Sequence, residues 1–509
     1  MKKTVLLKLI LWFSIVVCFQ NLSAQNFSTD LENVFTQQQL MGISVVTVCE
    51  DVVNNNLNFG LRDFARNLPI NENTLYRIAS ISKSVTSIAL MILFEEGKFS
   101  LDDDISNILG FTVRNPNFPN TPITVRMLLS HQSTIVDGSG YFDFLSATSA
   151  QNPPPALSEL LQPNGSFYTN DIWLNEPVGE YFTYCNLNFA IIGTLIEKLS
   201  NQRFDVFCKE RIFTPLQIDA SFNIQDLQDI DNVAVLYRKQ SGSWTPQVDN
   251  YQGIMPPPRN LDDYVIGTNG AIFAPQGGLR ISATNLAKIM ILLMKGGTYN
   301  NVQILQPQTI ELMQTPEYEY NGSNGENYYG LFCSWGLGLH LITNSQQGDL
   351  IYNNLTMKGH AGEAYGLISD MYYNEDENVG FVFITNGAAA DFEMGEYSSF
   401  YRTEELVFTT IYNNVFEEYL SNNELNTSSN FNFTISPNPA SEFVTIESNN
   451  FCSNIFCEIS NISGQVVKKF AVSSSNFNYD ISDLPSGEYI FSFQNEKETF
   501  LKKMIIIAN

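Results

Sequence analysis

Ser80-Ile81-Ser82-Lys83 sets a hydroxyl and an amine about one helical turn apart. Much later in the chain come a phenol and an amide in Tyr184-Cys185-Asn186, then the small-residue run Gly359-His360-Ala361-Gly362. Acyl transfer needs a nucleophile, a route for its proton and donors aimed at the tetrahedral oxyanion. Ser80 is the candidate nucleophile and Lys83 the first candidate base. An ammonium accepts no proton, so burial and a second basic group must lower the Lys83 pKa. Tyr184 fits as partner, its phenol able to pass the proton to the leaving group, and Asn186 fits as a group orienting Lys83 and a substrate amide. The residues leave open whether amine or phenolate is the base, because such a pair titrates jointly.

These groups need a scaffold. Val85, Ile88, Ala89, Ile92 and Leu93 recur at three- and four-residue spacing, predicting a helix over Ser82–Glu96 with Gly97 as its stop. Ser80 is expected at its N-terminus, where the dipole and free N–H groups favour developing negative charge.

The order Ser-x-x-Lys, Tyr-x-Asn, His-x-Gly resembles the penicillin-recognising serine hydrolases, for which Ser-x-x-Lys is a known signature. Tyr-x-Asn places the likeness in the class C β-lactamase, DD-peptidase and esterase branch. It extends in order from about Met41 to about Thr385, through Thr74–Ala79, Glu96–Asp103, Ile123–His131 and Gln276-Gly277-Gly278-Leu279. The resemblance implies an α/β (α+β) serine β-lactamase-like fold, an antiparallel sheet flanked by helices with a helical insertion. It also implies an oxyanion hole from the backbone N–H groups of Ser80 and Glu363, with Gly362 allowing close approach and His360 beside the substrate. His360-Ala361 stands where many β-lactamases carry Lys-Thr. A neutral imidazole and a methyl clamp a carboxylate poorly, which favours peptidase or esterase chemistry over efficient β-lactam hydrolysis. Cys185 is read as packing, and Gln132-Ser133-Thr134 lacks a Ser-Gly turn, implying an altered loop there.

Composition narrows the classes. A net charge of −26, from 27 Lys and Arg against 53 Asp and Glu, argues against nucleic acid and anionic membranes as partners. Three scattered histidines form no ligand motif, so neither metal nor cofactor is expected. His131 is read as a structural hydrogen-bonding residue and His340 as packing or surface. Lys2 and Lys3 before the apolar run Leu9–Phe19 read as a signal peptide over 1–24, ending at Leu22-Ser23-Ala24. No later stretch is apolar enough for a membrane span. The remaining cysteines are irregularly spaced, with Cys452 and Cys457 the one pair placed for a local bridge.

The chain divides into a catalytic part at 25–420, a polar linker at 421–431 and a β module at 432–509. Strands are expected at Gly42–Cys49, Gly359–Tyr373 and Val379–Thr385, giving one sheet from both ends of the first domain. Helices are expected at Thr124–Ser130, Leu187–Ser200, Ala283–Met294 and Thr403–Leu420. Pro153-Pro154-Pro155 and Pro256-Pro257-Pro258 are either rims of the site or plain loops, and Asp102-Asp103-Asp104 is a helix cap. The tail reads as a small β-sandwich. It resembles the type IX secretion system sorting domain through Ile435-Ser436-Pro437-Asn438-Pro439, Leu484-Pro485-Ser486-Gly487-Glu488-Tyr489 and Lys502-Lys503. That implies export from a Gram-negative cell, with the secretion machinery as partner. A carbohydrate-binding sandwich is disfavoured because aromatics form no flat platform in the sequence.

Two function classes follow. One is a secreted monomeric serine hydrolase cleaving an amide or ester of a small molecule or peptide through an acyl-Ser80 intermediate. The other is a peptidoglycan- or peptide-binding sensor on the same fold with weak or no turnover.

Overall fold

The apolar run Gly42–Cys49 forms a strand buried along its whole length. It pairs antiparallel with Val379–Thr385, setting Ile43 opposite Thr385 and Cys49 opposite Val379. The two ends of the domain therefore meet in the middle of one sheet. In this computed structural model, residues 26–389, 392–421, 433–448, 455–461, 465–472, 474–494 and 499–506 are described. The expected signal peptide, nearly all of the linker and Cys452 lie outside them.

The sheet has nine strands, all antiparallel to their neighbours. From one edge the order is Tyr318–Glu319, Ser334–Trp335, His340–Leu341, Lys358–Ala364, Leu367–Asn374, Val379–Thr385, Gly42–Cys49, Val52–Asp63 and Leu68–Pro69. Strands buried on both faces need covering twice. The helix Ala283–Met294 covers one face, and a β-carbon at Gly380 would lie 2.9 Å from Met290 Sδ, so glycine permits that approach. The helix beginning Arg402–Ile411 covers the other, with Phe408 5.3 Å from Phe381 between ring centres. It continues through a π-helical turn at Tyr412–Phe416.

Most of the helical part lies in the insertion between the strands. Its central helix, Ser82–Glu95, is buried from Ser82 through Leu93 on every side, including the polar Ser82, Lys83, Ser84, Thr86 and Ser87 of its first turns. Gly97 takes a φ of +66° just beyond it, as the stop signal predicts. The helix Asn186–Ser200 is almost as deeply buried. Asp104 caps the short helix Ile105–Leu109, accepting from the Ser106 N–H at 2.9 Å.

The chain forms two compact units, Met1–Asn414 and Val415–Asn509. In the second unit, three strands (Phe433–Ser436, Phe443–Ser448, Asn476–Asp480) form one sheet. Four more (Ile455–Asn461, Val466–Val472, Gly487–Gln494, Thr499–Ile506) form another. Val444, Ile446, Cys457, Ile459 and Phe491 form part of their shared core. Cys457 is a buried free thiol. Three aromatics gather here. Phe470 and Tyr479 stack at 3.5 Å with Phe477 beside them, but they rise from different sheets and join the two layers instead of forming a platform.

Candidate active site

Ser80 sits in a single 3₁₀ turn, Ala79–Ile81, immediately ahead of the helix that starts at Ser82. The turn is sharp, with Ala79 at a φ of +50°. Two clasps fix it. The Ile78 N–H donates to the Leu279 carbonyl at 3.0 Å, and the Leu279 N–H donates to Ser82 Oγ at 3.2 Å. From the opposite side the Ser369 hydroxyl lies 3.0 Å from the Ile78 carbonyl and 3.2 Å from that of Gly362. The strand Lys358–Ala364 thus abuts the turn. A β-carbon on Gly362 would stand 2.7 Å from Ile78 O and 3.2 Å from Ser80 N, so glycine is required by close approach. Glu363, next along that strand, joins Ser80 in lining a cavity of about 790 Å³.

Lys83 is fully buried beside Ser80. Its Nζ donates to Ser80 Oγ at 3.0 Å, Asn186 Oδ1 at 2.8 Å and the Gln276 carbonyl at 2.8 Å. It also lies 4.8 Å from the centre of the Tyr184 ring and 5.7 Å from that of Phe189. Burial pulls its pKa from the ordinary lysine range down to about 7, against the opposing pull of the Asp137 carboxylate.

Tyr184 packs among rings: His131 at 4.5 Å, Phe332 at 5.2 Å, Trp335 at 5.7 Å and His360 at 6.1 Å between centres. Its hydroxyl is buried without a partner of full hydrogen-bond geometry. Burial holds the phenol well above its usual pKa, although the Ser80 hydroxyl favours its ionisation.

His360 departs from expectation. It does not line the cavity, whereas Ala361, Gly362 and Glu363 do. Its ring is buried, 5.2 Å from Trp335, with Nδ1 2.5 Å from the Ala361 carbonyl and Nε2 unpartnered. Burial, with Lys83 nearby, holds it well below the usual histidine pKa. The imidazole is therefore neutral and packs behind Tyr184, away from the cavity lining.

His131 is structural, as its context suggested: Nδ1 accepts from the Cys185 N–H at 3.1 Å. His340 is packing, stacked on Trp335 and paired with the Tyr372 hydroxyl at 2.9 Å. Cys185 is fully buried. Neither proline triplet lines the cavity. His131 and Thr134 both take positive φ, which shapes the loop that Gln132 and Ser133 form between them. Among the described residues no group of three or more His, Cys, Asp and Glu is placed to hold a metal ion.

Two contributors went unread in the sequence. The Gln276 carbonyl reaches Lys83 through the backbone, which side-chain motifs do not report. Asp137 receives Asn186 Nδ2 at 2.7 Å and the Leu187 N–H at 2.9 Å, but as a lone acidic residue in a loop it carried no periodic or motif signal.

Residues 21–399 match the Beta-lactamase family. The chain belongs to that family. Among curated family relatives, protein flp of Staphylococcus aureus strain MRSA252 is 26% identical over 223 residues, 44% of this chain and 43% of its own. Penicillin-binding protein 4* of Bacillus subtilis is 28% identical over 163 residues, 31% and 32% of the two chains. The match thus spans less than half of each relative. The octameric penicillin-binding protein homologue of Pyrococcus abyssi shares the fold at a TM-score of 0.58 and 19% identity, covering 94% of this chain and 99% of its own. D-amino acid amidase of Ochrobactrum anthropi SV3 does so at 0.54 and 19%, covering 80% and 99%. Residues 434–507 match the secretion system C-terminal sorting domain.

Proposed function

We propose that this member of the Beta-lactamase family is a serine hydrolase that cleaves an amide or ester through an acyl-Ser80 intermediate. The observation that carries the reading is the set of partners around Lys83 Nζ. Asn186 Oδ1 and the Gln276 carbonyl can only accept, so they hold two N–H bonds of the neutral amine. Ser80 is the one partner with a proton to give, so when Lys83 loses its proton the bond between them reverses and the amine lone pair faces Ser80 Oγ. An amine with a pKa of about 7 is half neutral at physiological pH. A phenol held above its normal pKa stays protonated. Lys83 is accordingly the base and Tyr184 the proton donor.

The steps follow. Lys83 takes the Ser80 proton as Oγ bonds to the substrate carbonyl carbon. The N–H groups of Ser80 and Glu363 hold the resulting oxyanion. Collapse breaks the bond to the amine or alcohol, which leaves with a proton from Tyr184, itself reprotonated from Lys83. Water then releases the acyl group by the same relay.

Tyr141, Phe142, Leu145, Tyr328 and Phe332 give the cavity an apolar wall, and Arg77, Arg238, Glu363 and Glu404 complete the lining elsewhere. This suits an apolar acyl group over a strongly charged one. With His360 withdrawn and a methyl at Ala361, a peptide or ester suits the site better than a β-lactam. The tail supports type IX export to the cell surface or medium after removal of residues 1–24, with the catalytic part ending near 420.

A fluorophosphonate probe and a fluorescent penicillin test the reading. Labelling of the wild type that vanishes in Ser80→Ala is expected. No labelling by either probe favours a binding protein on this fold. A panel of p-nitrophenyl esters, D-alanyl peptides and nitrocefin then identifies the substrate class.

A further inference from the structure

Asp137 touches neither Ser80 nor Lys83, yet its carboxylate organises what surrounds them. Oδ2 accepts from Asn186 Nδ2 at 2.7 Å and from the Asn186 N–H at 3.2 Å. Oδ1 accepts from the Leu187 N–H at 2.9 Å and the Cys185 thiol at 3.3 Å. The helix Asn186–Ser200 has no side-chain cap from Cys185, its own N-cap residue, so Asp137 supplies that anion from another segment.

An amide side chain has two ends, and a buried lysine cares which one it meets. With Nδ2 bound to the carboxylate, Asn186 must turn Oδ1 toward Lys83, in keeping with the 2.8 Å contact between them. The opposite flip would set an amide N–H against Nζ and compete for the lone pair meant for Ser80.

We infer that Asp137 is a positioning residue that locks the Asn186 amide and, through it and through its own charge, sets the direction and proton affinity of Lys83. The other titratable groups facing Lys83 are His131, Tyr184, Cys185 and His360. Burial keeps both histidines and the phenol uncharged. Burial also raises the Cys185 thiol, leaving it protonated. Asp137 is then the nearby anion that acts on the amine.

The test compares wild type with Asp137→Asn and Asp137→Glu. The kinetic arm rests on the acyl-serine reading: kcat for a p-nitrophenyl ester should fall about ten- to a hundredfold in Asp137→Asn, the scale of a misplaced catalytic group. The acid limb of its kcat/KM profile should move to lower pH, because removing an anion makes Lys83 easier to deprotonate. Asp137→Glu should hold the limb near the wild-type position. A lowered rate with an unmoved limb would reduce Asp137 to a helix cap and overturn the inference, as would an unchanged rate.

A second arm needs no turnover. With ¹³C-lysine, the Lys83 resonance, assigned by its loss in Lys83→Met, should titrate at lower pH in Asp137→Asn than in wild type. If wild type proves inactive and that shift is still seen, the hydrolase reading fails while the control of Lys83 stands. An identical titration in both proteins overturns the inference whatever the activity.

Discussion

Lys83 donates to the main-chain carbonyl of Gln276 at 2.8 Å, across 193 positions of sequence. No side-chain substitution at 276 removes that acceptor, so the amine has this one contact independently of the residue type there. Its burial without an ion-pair partner is destabilising, and the pH dependence follows. The folded-state pKa lies below the unfolded one, so the unfolded chain binds more protons between about 7 and the ordinary lysine value. This contribution makes stability rise with pH across that window. Lys83→Met should abolish activity, raise Tm by a few degrees at pH 7 and flatten the rise toward pH 10, read by scanning calorimetry.

Activity should follow the same group. With Lys83 required as the free base, kcat/KM should climb as pH passes through about 7 and level above it. A profile flat from pH 5 to 8 would remove Lys83 as the base.

Tyr184 is expected to donate rather than accept. Tyr184→Phe should retain the fold and lose about a hundredfold or more in turnover. A near-normal rate for an ester of a good leaving alcohol, with a large loss for an amide, would refine its role to leaving-group protonation.

Gly362→Ala tests the seam between strand and nucleophile turn. The added methyl meets Ile78 O at 2.7 Å and Ser369 Oγ at 2.5 Å, so backbone must shift. We expect a stability loss of about 1–3 kcal/mol, as for other overpacked sites, and a fall in kcat larger than that in probe-binding affinity. Denaturant melts and burst kinetics measure the two.

Asp370 and Glu404 are a buried carboxylate pair: burial with the Glu404 charge holds Asp370 well above the usual carboxylate range, and burial with the Glu363 charge raises Glu404 to about 8. The folded state therefore holds a proton that the unfolded state releases. Stability from this pair is present below the ordinary carboxylate range and lost as pH rises above it. Glu404→Gln should raise Tm at pH 8 more than at pH 5. Equal shifts at the two values would show that the pair does not share a proton.

Much of this arrangement was legible in the chain. The spacing of Val85, Ile88 and Ile92 fixed a helix, and the apolar run at Gly42–Cys49 a strand, because each pattern has one period that buries it. Ser80, Lys83, Tyr184 and Asn186 converge as read, Gly362 touching the turn that carries Ser80. The misplaced residue was His360, whose side-chain direction depends on how Trp335 and Tyr184 fill the space behind the strand. Asp137 and the Gln276 carbonyl act through loop and backbone geometry, which hydrophobic periodicity does not encode. The stacking of Phe470 on Tyr479 depends on two sheets meeting, a relation no local window contains.

The clasp between Ser369 and the Ile78 carbonyl spans 291 positions. A chain emerging from its amino end presents the Ser80 turn long before the hairpin that must close over it. Until that hairpin arrives the Glu363 amide proposed to receive an oxyanion is missing, and the middle of the sheet lacks its partner strand. On the acyl-serine proposal, hydrolytic competence is thus withheld from nascent and truncated chains, and appears only once the last strand of the sheet has been laid down.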